Sequence, residues 1–213
     1  MNVVSVNAGR AELMKIGART VSTGIRKAPV ERGYAGTLGL SGDVVADEEN
    51  HGGLDQAIYV YSTEDYLFWA DDLGGIPAPG TFGENVTLSS FGAEPVRIGD
   101  RFRVGDALLE ATCPRIPCSV FATRMDEPEW VKRFAAARRP GFYARVLEPG
   151  EIAAGDVAER LPSENGHPTV ADVMDAWYDP EPDPALLERL LATPIAERAR
   201  VKLGRKLELA KTS

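Results

Sequence analysis

The sequence predicts a mainly β, barrel-like body with a few helices, followed by a small three-helix appendage. Three observations carry this reading. Short β-rich runs recur from the start to about residue 160. Glycine-led turns stand between them. After residue 162 the apolar residues change from alternation to helical spacing.

In order, "VVSVNAG" and "RTVSTGI" are short runs rich in strand-forming residues. "QAIYVY" is a third. In "PVRIGDRFRVGDALLEAT", Val96, Ile98, Phe102 and Val104 share one parity, as a half-buried strand requires. Gly105-Asp106 then supplies a two-residue hairpin turn. "GFYARVLEPGEIAAGDVAERL" repeats the pattern, with corners at Pro149-Gly150 and Gly155-Asp156. Many short strands with glycine corners imply a closed or nearly closed barrel. Two helices interrupt it. Ser62 and Asp65 cap "YLFWADDL", which stops at Gly74-Gly75. "PEWVKRFAAARR" puts Trp130, Val131, Phe134 and Ala137 on one side and ends before Pro140-Gly141.

The expected division is 1–162 for the β-rich body and 163–213 for the helical domain, joined near "SENGHP". Thr169 and Asp172 cap a helix with Val170, Val173, Met174 and Trp177 at i, i+3, i+4, i+7. Asp183-Pro184 opens a second helix, and Thr193-Pro194 a third that runs towards Leu209.

Composition narrows the function. The net charge of −8 argues against a nucleic-acid polymer as partner. Two cysteines cannot build a disulfide framework or hold an iron–sulfur cluster. No signal-peptide pattern or membrane-length apolar run is evident, so a cytoplasmic location is the expectation.

Both cysteines lie in "ATCPRIPCSVF". The Cys118 thiolate is a potential metal ligand or nucleophile, and Arg115 is placed to favour its charged form. Pro114 and Pro117 stiffen the segment and remove backbone donors. The competing reading is an ordinary small buried hydrophobe, which is also how Cys113 is read. In "ENHGGLDQAIYVY", Gly52 and Gly53 let backbone approach a ligand, and His51 stands at a strand entrance as a possible acid, base or ligand. A turn serving only the backbone explains the same residues. In "PGTFGENVTL", Asn85 offers both a donor and an acceptor for a heterocycle, unless it merely ends a hairpin. Arg145 is a charge in an otherwise apolar strand: a phosphate clamp or an edge arginine.

Taken in order, "GLSGDVVADEENHGGLDQAIYVY", "PGTFGENVTL", "RIGDRFRVGDALLEATCPRIPC" and "GFYARVLEPGEIAAGD" resemble the MOSC domain. Within it, they are most similar to the YiiM-like branch, whose members carry a C-terminal three-helix domain. The resemblance implies a mostly β fold, a bound molybdenum–pterin cofactor and a cysteine thiolate on the metal. That cysteine falls on Cys118, closing "PRIPC"; Cys113 lies outside the pattern. Gln56 departs from the pattern, standing where lysine is common. Related members resemble reductases of N-hydroxylated compounds, including N-hydroxylated bases.

Soft dithiolene-bound molybdenum suits a further soft thiolate. Arg115, Arg145, Asn85 and the backbone at Gly52 and Gly53 are then candidates to hold the pterin and its phosphate, and His51 to donate a proton. The leading expectation is a molybdenum-dependent reductase of small N-hydroxylated substrates, served by a separate electron-donor protein, with a homodimer as a candidate assembly. The alternatives are a cofactor carrier without turnover and a metal-free enzyme using Cys118 with His51.

Overall fold

The computed structural model describes residues 1–46, 52–164 and 166–212. In chain order the strands are β1 (Val3–Gly9), β2 (Glu12–Ile16), β3 (Arg19–Thr23), β4 (Lys27–Val30), β5 (Arg32–Gly36), β6 (Gly39–Leu40), β7 (Ile58–Ser62), β8 (Val86–Leu88), β9 (Arg101–Val104), β10 (Ala107–Cys113), β11 (Phe142–Glu148), β12 (Gly150–Ala153) and β13 (Ala158–Leu161). Eight form one sheet in the order β13-β9-β10-β11-β7-β8-β1-β4. The β7–β8 pair is parallel and the other six ladders are antiparallel. A second sheet is β12-β5-β6, and β2-β3 is a hairpin.

The chain is mainly β, as expected, but the barrel is not closed. Among the described residues no ladder joins the edge strands β13 and β4. Pro29 lies in β4, and proline has no N–H for a further ladder, which suits an edge. The sheet nevertheless curls until the start of the chain meets the β12–β13 corner. There Val3 N–H donates to Asp156 O (2.8 Å), Ala158 N–H donates to Met1 O (2.9 Å), and Asn2 bridges Val157.

The expected single strand over 96–104 is also corrected. Only Arg101–Val104 is strand. Gly99 turns the chain with φ 86°, a region that favours glycine. Val96 and Ile98 remain buried because this stretch binds the residues that begin the helical tail. Ile98 N–H donates to Pro168 O and Val170 N–H to Val96 O. The Gly105-Asp106 hairpin forms as read, with Val104 facing Ala107.

The helices are α1 (Thr63–Ala70), α2 (Ser119–Arg124), α3 (Trp130–Ala137), α4 (Val170–Tyr178), α5 (Pro184–Leu191) and α6 (Glu197–Thr212), with a 3-10 turn at Leu54–Gln56. Ser62 Oγ caps α1 by accepting from Asp65 N–H (3.1 Å). Thr169 and Asp172 make the expected capping box on α4. The short α2 had no sequence signal that was recognised. The last helix starts at Glu197 rather than at Pro194. Its approach is held against the sheet instead, where Ala196 N–H donates to Thr112 O and Arg145 Nη2 to Pro194 O. The carboxylate of Asp55 then accepts from Glu197 N–H (2.8 Å), satisfying one donor that a helix start leaves open.

Two apolar clusters fill the molecule. One joins the sheet interior (Val6, Ile58, Val60, Leu109, Phe142) to the tail (Val173, Leu187, Leu190, Leu203). The other is aromatic, with Tyr59, Tyr61, Phe82, Phe121, Trp130 and Phe134 all fully buried. It is the bed on which the functional cavity rests.

Candidate functional site

A cavity of ≈ 390 Å³ opens between β3, β4, β7 and the segment that follows β10. That is within the range of small-molecule sites. Its lining includes Cys118, Arg115, Lys27, Asn85, Tyr59 and Tyr143.

Cys118 precedes α2 in an extended conformation (φ −132°, ψ 174°), and its carbonyl accepts from Ala122 N–H (3.0 Å). The thiol is partly exposed to the cavity. Cys113, five residues earlier at the end of β10, is buried. Burial pushes its thiol up to about 12, which makes it an inert core residue.

Arg115 is 4 % exposed. Its guanidinium carbon lies 4.3 Å from the Phe121 ring centroid and 5.0 Å from that of Tyr59, so two aromatic faces support the charge. Nη1 donates to Tyr143 Oη (3.4 Å). Nε is buried and has no hydrogen-bond partner among the described residues. Burial works to lower the pKa, but Tyr143, Tyr59, Cys118 and Glu84 outweigh it, and the group stays cationic.

Lys27 and Asp43 were not singled out in the sequence. They form an ion pair with side chains 8 % and 3 % exposed. Burial lowers the Lys27 pKa, and Asp43 opposes that. Asp43 also accepts from Gly9 N–H (2.7 Å) and Asn85 Nδ2 (2.8 Å). Asn85 therefore reaches the cavity with its amide committed. Its Oδ1 accepts from Tyr59 N–H (3.1 Å), and Nδ2 holds the carboxylate that holds Lys27. In this structure its amide positions the lysine through Asp43.

The "FGEN" loop is shaped by glycine. A Cβ on Gly80 (φ 85°) would lie 2.6 Å from Lys27 O. On Gly83 (φ 77°) it would lie 3.2 Å from Ile25 Cγ1 and 3.6 Å from Arg115 Nη1. Glu84 is fully buried behind this wall, and burial raises its pKa. Its Oε1 accepts from Tyr66 Oη (2.5 Å), Gly80 N–H (2.7 Å) and Thr87 Oγ1 (2.8 Å).

Cys118, Arg115 and Asn85 are thus brought together. Arg145 is not in this lining. Its guanidinium binds Asp55 Oδ1 (2.7 Å), Glu110 Oε1 (3.3 Å) and Pro194 O (3.2 Å), which ties β11 to the tail and does not clamp a phosphate in the cavity. Gly52 and Gly53 lead into the 3-10 turn and are also outside the lining, to which Gln56 and Ala57 contribute instead. His51 lies outside the described residues.

The residues matched by the MOSC domain model are 47–159, more than half of the chain, and they hold the Cys118–Arg115 segment. The chain belongs to the MOSC family. This is a molybdenum-cofactor-sulfurase C-terminal-like domain family, so association with a molybdopterin is the family-level expectation. The chain is 35 % identical over 161 residues to the uncharacterized protein YflK of Bacillus subtilis (strain 168), covering 75 % of this chain and 73 % of that one. It is 31 % identical over 165 residues to a protein named reductase from Gibberella moniliformis, covering 75 % of this chain but 29 % of that longer protein. The crystal structure of YiiM from Geobacillus stearothermophilus superposes with a TM-score of 0.78 at 28 % identity, covering 97 % of this chain and 98 % of that one. This places the MOSC domain here in the YiiM-like branch.

The residues present fit a molybdenum–pterin group. Cys118 offers one soft ligand. Arg115 offers a buried cation with an open Nε donor, and Lys27 a second positive charge nearby. No set of three His, Cys, Asp or Glu side chains able to hold a bare metal ion exists among the described residues. One thiolate completing an organic chelate suits the site better than a protein-only metal centre.

Proposed function

We propose that the protein is a molybdenum-cofactor-dependent reductase of small N-hydroxylated compounds, with the metal held by Cys118. The observation that carries this reading is the convergence of the Cys118 thiol and the buried Arg115 charge on one cavity. Among the described residues no carboxylate pairs with Arg115, which supports an anionic guest in the cavity.

When bound, the molybdenum–pterin group supplies the two-electron redox chemistry. Cys118 anchors it. Arg115, and Lys27 held by Asp43, bind its anionic end. Val21, Val44, Val45 and Val120 form an apolar wall that leaves room for a flat, uncharged substrate body. The overall change breaks the N–O bond: two electrons and two protons enter, the amine forms, and the oxygen leaves as water. The electrons come from a separate donor protein. His51 is assigned the proton donor on sequence grounds alone.

The test uses protein made in a host that synthesises the cofactor. Wild type should contain molybdenum and pterin, and should reduce an N-hydroxylated base with reduced methyl viologen. Cys118→Ala should lose the metal while its circular dichroism stays unchanged. Normal molybdenum in that variant overturns the ligand assignment. Loaded protein that never turns over is a carrier and not a reductase.

A further inference from the structure

Glu84 is a buried titratable group that the proposed chemistry leaves unused. Its two neighbours in the chain, Gly83 and Asn85, both line the Cys118 cavity, while its own side chain lies fully buried outside the lining. Three donors converge on one of its oxygens. Tyr66 Oη from α1, the N–H of Gly80 and Thr87 Oγ1 from β8 all reach Oε1. The other oxygen, Oε2, is buried and has no hydrogen-bond partner among the described residues. The three bonds favour the charged carboxylate and burial favours the neutral acid, with burial the larger influence.

Arg115 carries the matching irregularity, since its Nε is also buried without a partner. Gly83 links the two. It precedes Glu84, and a Cβ there would stand 3.6 Å from Arg115 Nη1. No hydrogen bond joins the carboxyl to the guanidinium, yet the charge of Glu84 acts on Arg115 and on Lys27, the two cations of the lining. Lys27 is already compensated by Asp43. The other groups near Glu84 do not offset it in a pH-dependent way. Burial raises the pKa values of Tyr59, Tyr61 and Tyr66, so these stay neutral, and Arg124 on α2 stays a cation.

We propose that Glu84 is a positioning residue of the cavity, coupling the binding of an anion beside Arg115 to the uptake of one proton. Neutral Glu84 leaves the Arg115 charge to the guest. Ionised Glu84 repels the guest across the Gly83 wall. This rests on the anionic guest of the proposed function, and adds the condition under which the cavity holds it: tightly while Glu84 keeps its proton, loosely once it is lost. Two unit charges about 10 Å apart, at an effective dielectric of about 20, change a binding constant roughly tenfold.

The test uses the intact chain, free of cofactor, and sulfate as the probe, because sulfate keeps the same charge across the range used. Affinity is measured by calorimetry from about pH 5.5 upward, and Arg115→Met, by abolishing binding, identifies the site. Wild type should lose affinity roughly tenfold as pH rises. Glu84→Gln still offers an oxygen to the three donors but cannot ionise. It should hold its low-pH affinity and, at the alkaline end, bind sulfate roughly tenfold tighter than wild type. A residue that only props up the fold would not improve binding when replaced. Lys27 and Cys118 are common to both proteins, so the difference isolates Glu84. Glu148→Gln, which removes a surface carboxylate paired with Arg103, should follow wild type. Tyr66→Phe withdraws one donor from the ionised form and should move the decline to higher pH. That variant decides the matter if Glu84→Gln does not fold, and a decline left in place by it overturns the proposal. Affinity that falls identically in wild type and Glu84→Gln overturns the role of Glu84 and leaves the anion cavity standing. No Arg115-dependent sulfate binding at any pH overturns the anionic-guest reading and this coupling with it.

Discussion

Replacing Asp43 with alanine probes the charge arrangement of the cavity without touching Cys118. The change leaves Lys27 as a buried cation without its partner, and removes the acceptor for Gly9 N–H and Asn85 Nδ2. Breaking a buried pair in this way costs about 3–5 kcal/mol. A domain is stable by only about 5–15 kcal/mol in total, so the loss should be plain. It should also depend on pH. Burial already lowers the Lys27 pKa below 10.5, and Asp43 is the main influence raising it. Without Asp43 the folded pKa drops further. Between the folded and unfolded pKa values the unfolded chain binds more protons, so stability rises with pH there. That window widens towards neutral pH in Asp43→Ala, which should recover stability at lower pH than wild type does. The assay is urea unfolding followed by tryptophan fluorescence across a pH series. Adding Lys27→Met removes the stranded charge and should restore at least about 2 kcal/mol of the loss, because neighbouring sites couple. A single variant within about 1 kcal/mol of wild type, or a double variant no more stable than the single, would refute the buried-pair argument.

Three further predictions follow from other sites. Burial raises the Glu84 pKa above its ordinary 4.5, so its contribution is full below that value and is lost as pH rises through the folded pKa. Glu84→Gln should therefore flatten the decline in unfolding free energy as pH rises above about 4.5; parallel curves would show that Glu84 does not titrate as described. Iodoacetamide on native protein, read by peptide mapping, should label Cys118 and spare Cys113, whose thiol is pushed to about 12; equal labelling contradicts the buried assignment. Asp55→Ala strips Arg145 and the Glu197 N–H of a shared acceptor, and should cost about 1–3 kcal/mol with faster amide exchange at the start of α6; unchanged exchange there would disprove the tie.

Much of the fold was legible because local rules and packing agreed. Ser62 with Asp65 and Thr169 with Asp172 mark helix starts that formed where the spacing put them. The failures came where distant residues decide the outcome. Val96 to Val104 alternates like one strand, but Gly99 and the partner carbonyl of Pro168 break it. Pro194 looks like a helix start, but Thr112 on β10 holds the next residues first. At the site, Cys118 and Arg115 are near in sequence and unusual in flanking, so they stood out. Lys27 and Asp43 sit in the plain stretches "RKAPV" and "SGDVV", and nothing local says that they meet. Arg145 looked available for a ligand because Asp55, 90 positions away, is its partner.

The carboxylate of Asp55 has a bearing on where this molecule can be cut. One oxygen holds a strand of the sheet and the other holds the first turn of the last helix. The span that defines the family stops at residue 159, yet Val173, Leu187, Leu190 and Leu203 belong to the same oily interior as Val6 and Val60. A shortened version ending there would expose that interior and remove the Pro194 carbonyl and the Glu197 N–H that Arg145 and Asp55 hold, so the family module in this chain is built to pack against the tail that follows it.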